Sequence, residues 1–363
     1  MNDAERCEDL RALVECESPS EDRDATARCA DVLADLVRRR LGGEAERVEV
    51  EGRVHLRWSF GRPRVLLLGH LDTVWPLGTL ARWPFEVRGE RATGPGVFDM
   101  KGGLVQMLEA LSGRGGPDGV AILVTSDEEV GSNSSRALIE ETAAGMEAVL
   151  VLEPSADGAL KTARKGVGTF RLDVTGRAAH AGLEPHKGVN ATVEAAAQIL
   201  AIAELGRPDQ GTTVTPTTLS AGTTVNTVPE SATLRIDVRA STVAEMDRVQ
   251  SALGSLRPRL PGAGLAMTPV SVRPPLESSV SRDLFEAARR HAARLGLGDL
   301  AGVAVGGGSD GNLTAAIGIP TLDGLGAVGD KAHAEGEWLL VPAMRQRAGL
   351  VAALVDELVG APV

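Results

Sequence analysis

Three stretches of the chain are apolar without interruption: Val65-Leu66-Leu67-Leu68, Val120-Ala121-Ile122-Leu123-Val124 and Val149-Leu150-Val151-Leu152. Short runs of this kind mark strands buried on both faces. Helical spacing lies between them, over about 100–112 and 133–144. Strand and helix in alternation predict a mostly parallel α/β sheet. Two further helices are expected over 5–15 and 22–41, divided by Ser18-Pro19-Ser20, with Ser20 or Asp22 as N-cap of the second.

From Gly166 the pattern changes. Thr169-Phe170-Arg171-Leu172-Asp173-Val174 alternates between polar and apolar, as does Ala232-Thr233-Leu234-Arg235-Ile236-Asp237-Val238-Arg239. Half-buried antiparallel strands alternate in this way. Helical stretches near 190–205 and 243–256 accompany them, predicting a smaller α+β domain with one solvent-facing side to its sheet. After Pro274-Pro275, a helical pattern (281–296), an apolar segment and a final helix at about 342–359 return to the earlier style. The expected organisation is an α/β domain split over 1–165 and 275–363, interrupted by an α+β domain over 166–274. A chain of 363 residues is long enough for two cores. It shows no internal repeat and no low-complexity tract.

Composition narrows the partners. A formal net charge of −11 argues against nucleic acid, whose phosphates need a basic surface. It leaves small substrates open, because a local cationic pocket can sit on an acidic protein. No apolar run is long enough for a bilayer, and Met1-Asn2-Asp3-Ala4-Glu5-Arg6 lacks the apolar core of a signal peptide. Cys7, Cys16 and Cys29 are the only cysteines; an odd set clustered at one end is no disulfide framework. The expectation is a cytoplasmic protein with free thiols. The chain has no tyrosine, so any catalytic acid or oxyanion donor is another residue type.

Candidate chemistry sits where the buried strands end. His70, Asp72, Glu128, Glu129 and Glu153 fall just past the three apolar runs, at the edge where open α/β sheets bind ligands. Asp99 follows Gly94-Pro95-Gly96, and His333 stands in Lys331-Ala332-His333-Ala334. Singly, each has an ordinary explanation. Asp99 would cap a helix, Asp127-Glu128-Glu129 would be a solvated acidic turn, and the histidines would be a strand end and an exposed loop. Together, two imidazoles (His70, His333) and three carboxylates (Asp99, Glu129, Glu153), with Glu128 to spare, suit two zinc-like ions sharing a bridging carboxylate. Such a site activates water for hydrolysis. Asp72, two residues past His70, would accept the imidazole's other N–H.

The α+β segment offers recognition groups. His180 is a neutral donor for an oxyanion, or a half-buried edge histidine. Asn226 and Arg239 would bind a substrate carboxylate. Amides of the Gly306-Gly307-Gly308-Ser309-Asp310-Gly311 loop, Gly308 among them, would approach an anion; the alternative is a flexible turn.

In motif order, approximate spacing and the interrupting domain, the chain resembles peptidase family M20. These are the co-catalytic zinc exopeptidases and amidohydrolases that include glutamate carboxypeptidase, acetylornithine deacetylase, succinyl-diaminopimelate desuccinylase and aminoacylase. The resemblance spans Ser18-Pro19-Ser20 to the last helix. Gly94-Pro95-Gly96-Val97-Phe98-Asp99-Met100-Lys101-Gly102-Gly103, Asn226-Thr227-Val228-Pro229 and Asp237-Val238-Arg239 are most similar to the glutamate carboxypeptidase branch.

The resemblance implies a zinc-exopeptidase-like α/β catalytic domain with a mostly parallel sheet, plus an inserted α+β lid and dimerisation domain with an antiparallel sheet. It implies two Zn²⁺, with Co²⁺ or Mn²⁺ as alternatives. Asp99 would bridge them, His70 and Glu153 would hold one, and Glu129 and His333 the other. Glu128 would be the general base, Asp72 would orient His70, and the Asp99–Met100 peptide would be cis. His180 would reach into the partner subunit's site of a homodimer. Arg239 and Asn226 would bind the terminal carboxylate, and Arg273 or Lys165 would recognise a side chain. Three functions follow as expectations: a carboxypeptidase acting on a small peptide or N-acyl amino acid, an N-acyl-amino-acid deacylase, and a non-catalytic metal-bound scaffold.

Overall fold

The structure is a computed structural model that describes residues 1–113 and 116–360. The chain forms two compact units. The first comprises Met1–Ala163, Ser278–Ala304 and Ser309–Val363; the second comprises Arg164–Glu277 with the short stretch Val305–Gly308.

The three apolar runs become the centre of a six-stranded sheet in the first unit. Its order is Glu46–Val50, Arg53–Ser59, Val120–Thr125, Val65–His70, Ala148–Val151, Thr321–Leu322. The last four pair in parallel, and the Glu46–Ser59 hairpin adds an antiparallel edge. Every residue of the three central strands is buried, as uninterrupted apolar runs require. Alternate side chains go to opposite faces. Leu67, Ile122 and Leu150 pack with Leu10, Leu33, Leu108 and Leu354 from helices on one side. Leu66, Leu68 and Leu123 pack with Leu138, Ile139 and Leu313 on the other. Each fully buried leucine contributes about 1.5–3 kcal/mol.

Helix ends follow local chemistry. Asn2 and Glu5 form a capping box on Asp3–Glu15, Asp22 caps Arg23–Leu41 by accepting from the Ala25 amide at 2.8 Å, and Gly42 closes that helix at φ 74°. Parallel register aligns His70 with Thr125 and Leu68 with Val151. The segments following the three strands therefore leave the sheet along one edge.

The second unit holds a four-stranded antiparallel sheet, ordered Thr213–Ala221, Ser231–Ala240, Gly166–Thr175, Gly264–Arg273. Phe170, Leu172, Val174, Leu234, Ile236 and Val238 pack under the helices Ala191–Ala203 and Val243–Gly254. The intervening side chains form the face turned away from those helices, which is why the strands alternate in sequence. Both edge strands carry a proline beside a register shift, at Pro216/Thr218 and Pro269/Ser271, as edges tolerate. No helix among the described residues is long and apolar enough to cross a membrane.

Candidate metal centre and active site

His70 is the last residue of its strand and is buried. Its Nδ1 lies 3.0 Å from the main-chain oxygen of Asp72, an acceptor, so the ring proton sits on Nδ1 and the Nε2 lone pair points away from the sheet. Nε2 is 3.3 Å from Asp99 Oδ1 and 3.4 Å from Glu153 Oε1. The Asp72 carboxylate is farther from the ring, at 3.5 Å. Its oxygens accept from Ser20 Oγ at 2.7 Å and from the amides of Glu128 and Glu129 at 3.2 Å each. Asp72 thus fixes the imidazole chiefly through its main chain and the double-glutamate turn through its side chain.

Asp99 lies in the single π-turn Val97–Lys101 with non-helical backbone angles (φ −114°, ψ 95°); Gly102–Gly113 follows, after a cis Asp99–Met100 peptide. Gly96 turns the chain at φ 72°, and a Cβ there would meet Thr73 Cγ2 at 2.5 Å, so the turn needs glycine. The two oxygens of Asp99 face different imidazoles: Oδ1 faces His70, and Oδ2 lies 3.4 Å from His333 Nε2. His333, at φ 61°, also places Nε2 3.0 Å from each oxygen of Glu129. Donor atoms of His70, Asp99 and Glu129 lie mutually within 4.8 Å, as do those of His70, Glu128 and Glu153.

The electrostatics are those of a site built for cations. Burial opposes charge on His70, yet Asp72, Asp99 and Glu153 hold its pKa well above the usual range. Burial likewise works to raise Asp99, but His333 and His70 outweigh it and keep the carboxyl far below the ordinary value. Asp99 and Glu129 push His333 up to about 10, and burial raises Glu129.

Metal fit can be tested directly. His70 Nε2 and Asp99 Oδ1 are buried and find no hydrogen-bond partner among the described residues, the state expected of atoms that await a metal. Zinc holds nitrogen and oxygen donors at about 2.0–2.2 Å, so tetrahedral neighbours stand about 3.3 Å apart. The spacings of 3.3, 3.4 and 3.4 Å around His70 and Asp99 match that edge.

Two contributors carry no sequence signal. Lys161 places Nζ 3.8 Å from Glu153 Oε2. Glu337 is fully buried and accepts from Trp75 Nε1 and from the amides of Gly96, Phe98 and Asp99. Burial lifts its pKa to about 7, against those donors. Glu337 lies four residues past His333, but nothing local shows that its partners lie near residue 96.

The remaining candidates belong to the second unit. His180 is exposed and its Nδ1 accepts from the amides of Gly182 and Leu183, both at 3.1 Å, which leaves the proton on Nε2. The main-chain oxygen of Asn226 accepts from Ala181 at 2.9 Å, beside the pairing of Ala179–His180 with Thr227–Val228. Arg239 binds Asp237 at 3.0–3.2 Å. Arg239 and Arg273 are both register partners of Val167, so they share one row on the face turned from the helices. A Cβ at Gly308 would meet Arg273 Cδ at 3.2 Å, placing this glycine against the same row. Lys165 donates its amide N–H to the main-chain oxygen of Val305 at 3.0 Å.

Fold and donor set together define a metal-dependent hydrolase, with water activation as its chemistry. Residues 66–357 match the model of "Peptidase family M20/M25/M40", and the chain belongs to that family. It is 33% identical over 311 residues to carboxypeptidase G2 of Pseudomonas sp. strain RS-16, covering 82% of this chain and 74% of that one. N-acetyl-L-citrulline deacetylase of Xanthomonas campestris pv. campestris is 32% identical over 186 residues, covering 49% and 48%. Among solved structures, the aminopeptidase PepT of Bacillus cereus superposes with a TM-score of 0.77 at 23% identity, covering 99% of both chains, and so shares the fold.

Proposed function

We propose that this metallo-hydrolase is a dinuclear zinc carboxypeptidase that releases a C-terminal amino acid from a small peptide or N-acyl amino acid. The observation that carries the proposal is Asp99, with one oxygen toward each imidazole, as a bridging carboxylate requires. His70 and Glu153 would hold one ion, Glu129 and His333 the other. When bound, such ions lower the pKa of water at the site to about 7 and polarise the scissile carbonyl.

The chain's own residues do the rest. Glu128, on the turn fixed by Asp72, takes a proton from the attacking water and returns it to the leaving nitrogen. His180 carries its proton on Nε2 and donates it, as a hydrogen bond, to the developing oxyanion. It acts from the second unit of a partner subunit in a homodimer. The row of Arg239 and Arg273, with Gly308 against it and Asn226 in the same unit, binds the substrate's free carboxylate; paired arginines suit a planar anion. The carboxypeptidase reading also takes support from the relative of greatest matched length among those named, carboxypeptidase G2.

The deacetylase relative favours a second reading, in which the acyl half is selected. The test is hydrolysis by zinc-reconstituted protein of paired series that vary either the C-terminal residue or the acyl group. Rates that track the C-terminal residue support the carboxypeptidase. Rates that track the acyl group move the protein to the deacylases, and no turnover with two ions bound leaves a scaffold.

A further inference from the structure

Glu337 is not among the candidate ligands, yet its carboxylate accepts four hydrogen bonds beside them. Its Oε1 accepts from the amides of Phe98 at 2.7 Å and Asp99 at 2.9 Å. Its Oε2 accepts from Gly96 at 3.0 Å and from Trp75 Nε1 at 2.9 Å. The side chain is completely buried. Four N–H groups directed at two oxygens are a cradle for a carboxylate, because a charged acceptor strengthens each bond.

Its position in the chain gives the cradle a purpose. Glu337 closes the loop that carries His333: its amide donates to Ala334 at 3.1 Å, and the next residue, Trp338, is pinned by pairing with Asp330 and Thr93. One carboxylate therefore ties the Gly96–Asp99 turn to the His333 loop across more than two hundred residues of sequence. In the dinuclear reading Asp99 and His333 would hold the same ion, and their Oδ2–Nε2 separation is 3.4 Å.

We propose that Glu337 is a positioning residue that fixes Asp99 relative to His333, and so sets the affinity of the ion held by Asp99, Glu129 and His333. The proposal rests on the dinuclear reading above. Glutamine is nearly the same shape, but its amide nitrogen would face two N–H donors and could accept from neither. Substitution of residues that support metal ligands lowers metal affinity about 10–100-fold.

The experiment is a zinc titration of the chelated full-length protein, wild type and Glu337→Gln, by competition with a chromophoric chelator, with circular dichroism of each. Wild type is expected to bind two ions. Glu337→Gln is expected to bind one normally and the other about 10–100-fold more weakly, with hydrolysis restored by excess zinc. A purely structural role would lower the melting temperature and leave both affinities alike. Should Glu337→Gln fail to fold, Trp75→Phe removes a single donor and is expected to weaken the same ion about 2–10-fold. Two unchanged affinities in the folded variant overturn the role of Glu337 alone. Fewer than two ions in wild type overturns it together with the dinuclear reading.

Discussion

The two units prepare for chemistry in opposite ways. In the first, most candidates are placed by something rigid: His70 by a buried strand, the Glu128–Glu129 turn by Asp72, Asp99 by Glu337, while His333 stands on an exposed loop. In the second, most candidates lie on exposed or half-open surface, with Arg273 buried. His180 is exposed, and Arg239 spends its guanidinium on Asp237. Metal chemistry is preorganised inside one unit, whereas recognition is left as separate parts. Removing a group that acts on the transition state, such as Glu128 or His180, should lower kcat, and removing one that binds the free carboxylate, such as Arg239, should raise KM.

Four measurements can break or sharpen that contrast. Glu128→Gln is expected to lower kcat by roughly 10²–10⁴-fold while both ions stay bound; steady-state kinetics with metal analysis checks this, and near-normal turnover would remove Glu128 as the base. Leu172→Ala, in the core of the second unit, should cost about 2–5 kcal/mol of that unit's stability and leave zinc affinity unchanged. Denaturant unfolding and metal titration of one preparation decide it, since lost affinity would mean the metal centre is not the property of one unit. Arg239→Ala should raise KM about 10–100-fold with a smaller change in kcat, from the loss of a charged hydrogen bond to the substrate carboxylate.

The smallest effect concerns pH. The folded, metal-free chain raises His333 from 6.5 to about 10. A group raised on folding stabilises the protein fully below its unfolded pKa and loses that contribution as pH climbs through the folded one. Chelated protein should therefore lose stability between about pH 6.5 and 10. Thermal melts of His333→Gln across that window should show a shallower decline, and an identical decline would detach the imidazole from the effect.

Much of the first unit is legible in the chain because its signals are local. Uninterrupted apolar runs such as Leu66-Leu67-Leu68 become central parallel strands, and residues just beyond a strand end cannot escape the sheet edge. The alternation at Phe170, Leu172 and Val174 likewise becomes one face of an antiparallel sheet. What stayed hidden depends on meetings between distant loops. Glu337 finds its partners near residue 96, and Lys161 finds Glu153 from a strand with no motif of its own. Asp72 sits where alternation places it, 3.5 Å from the ring nitrogen, but that its carboxylate also accepts from amides of the 128–129 turn has no local signal. The hairpin over 46–59 and the return of Val305–Gly308 to the second unit gave no periodic signal, being too short to show one.

Asp72 has an evolutionary consequence. A single residue touches His70 through its carbonyl and both glutamates through its carboxylate, so no one of these groups can drift without dragging the others. A substitution at Asp72 would disturb His70 and both glutamates at once. Mutational paths toward a new substrate stay open among solvent-facing positions such as those around His180 and Asn226, where a change disturbs few neighbours. A lineage built this way would keep its water-activating centre almost fixed and diversify by rewriting the other unit. The names borne by its relatives, carboxypeptidase and deacetylase among them, are the kind of divergence such a constraint permits.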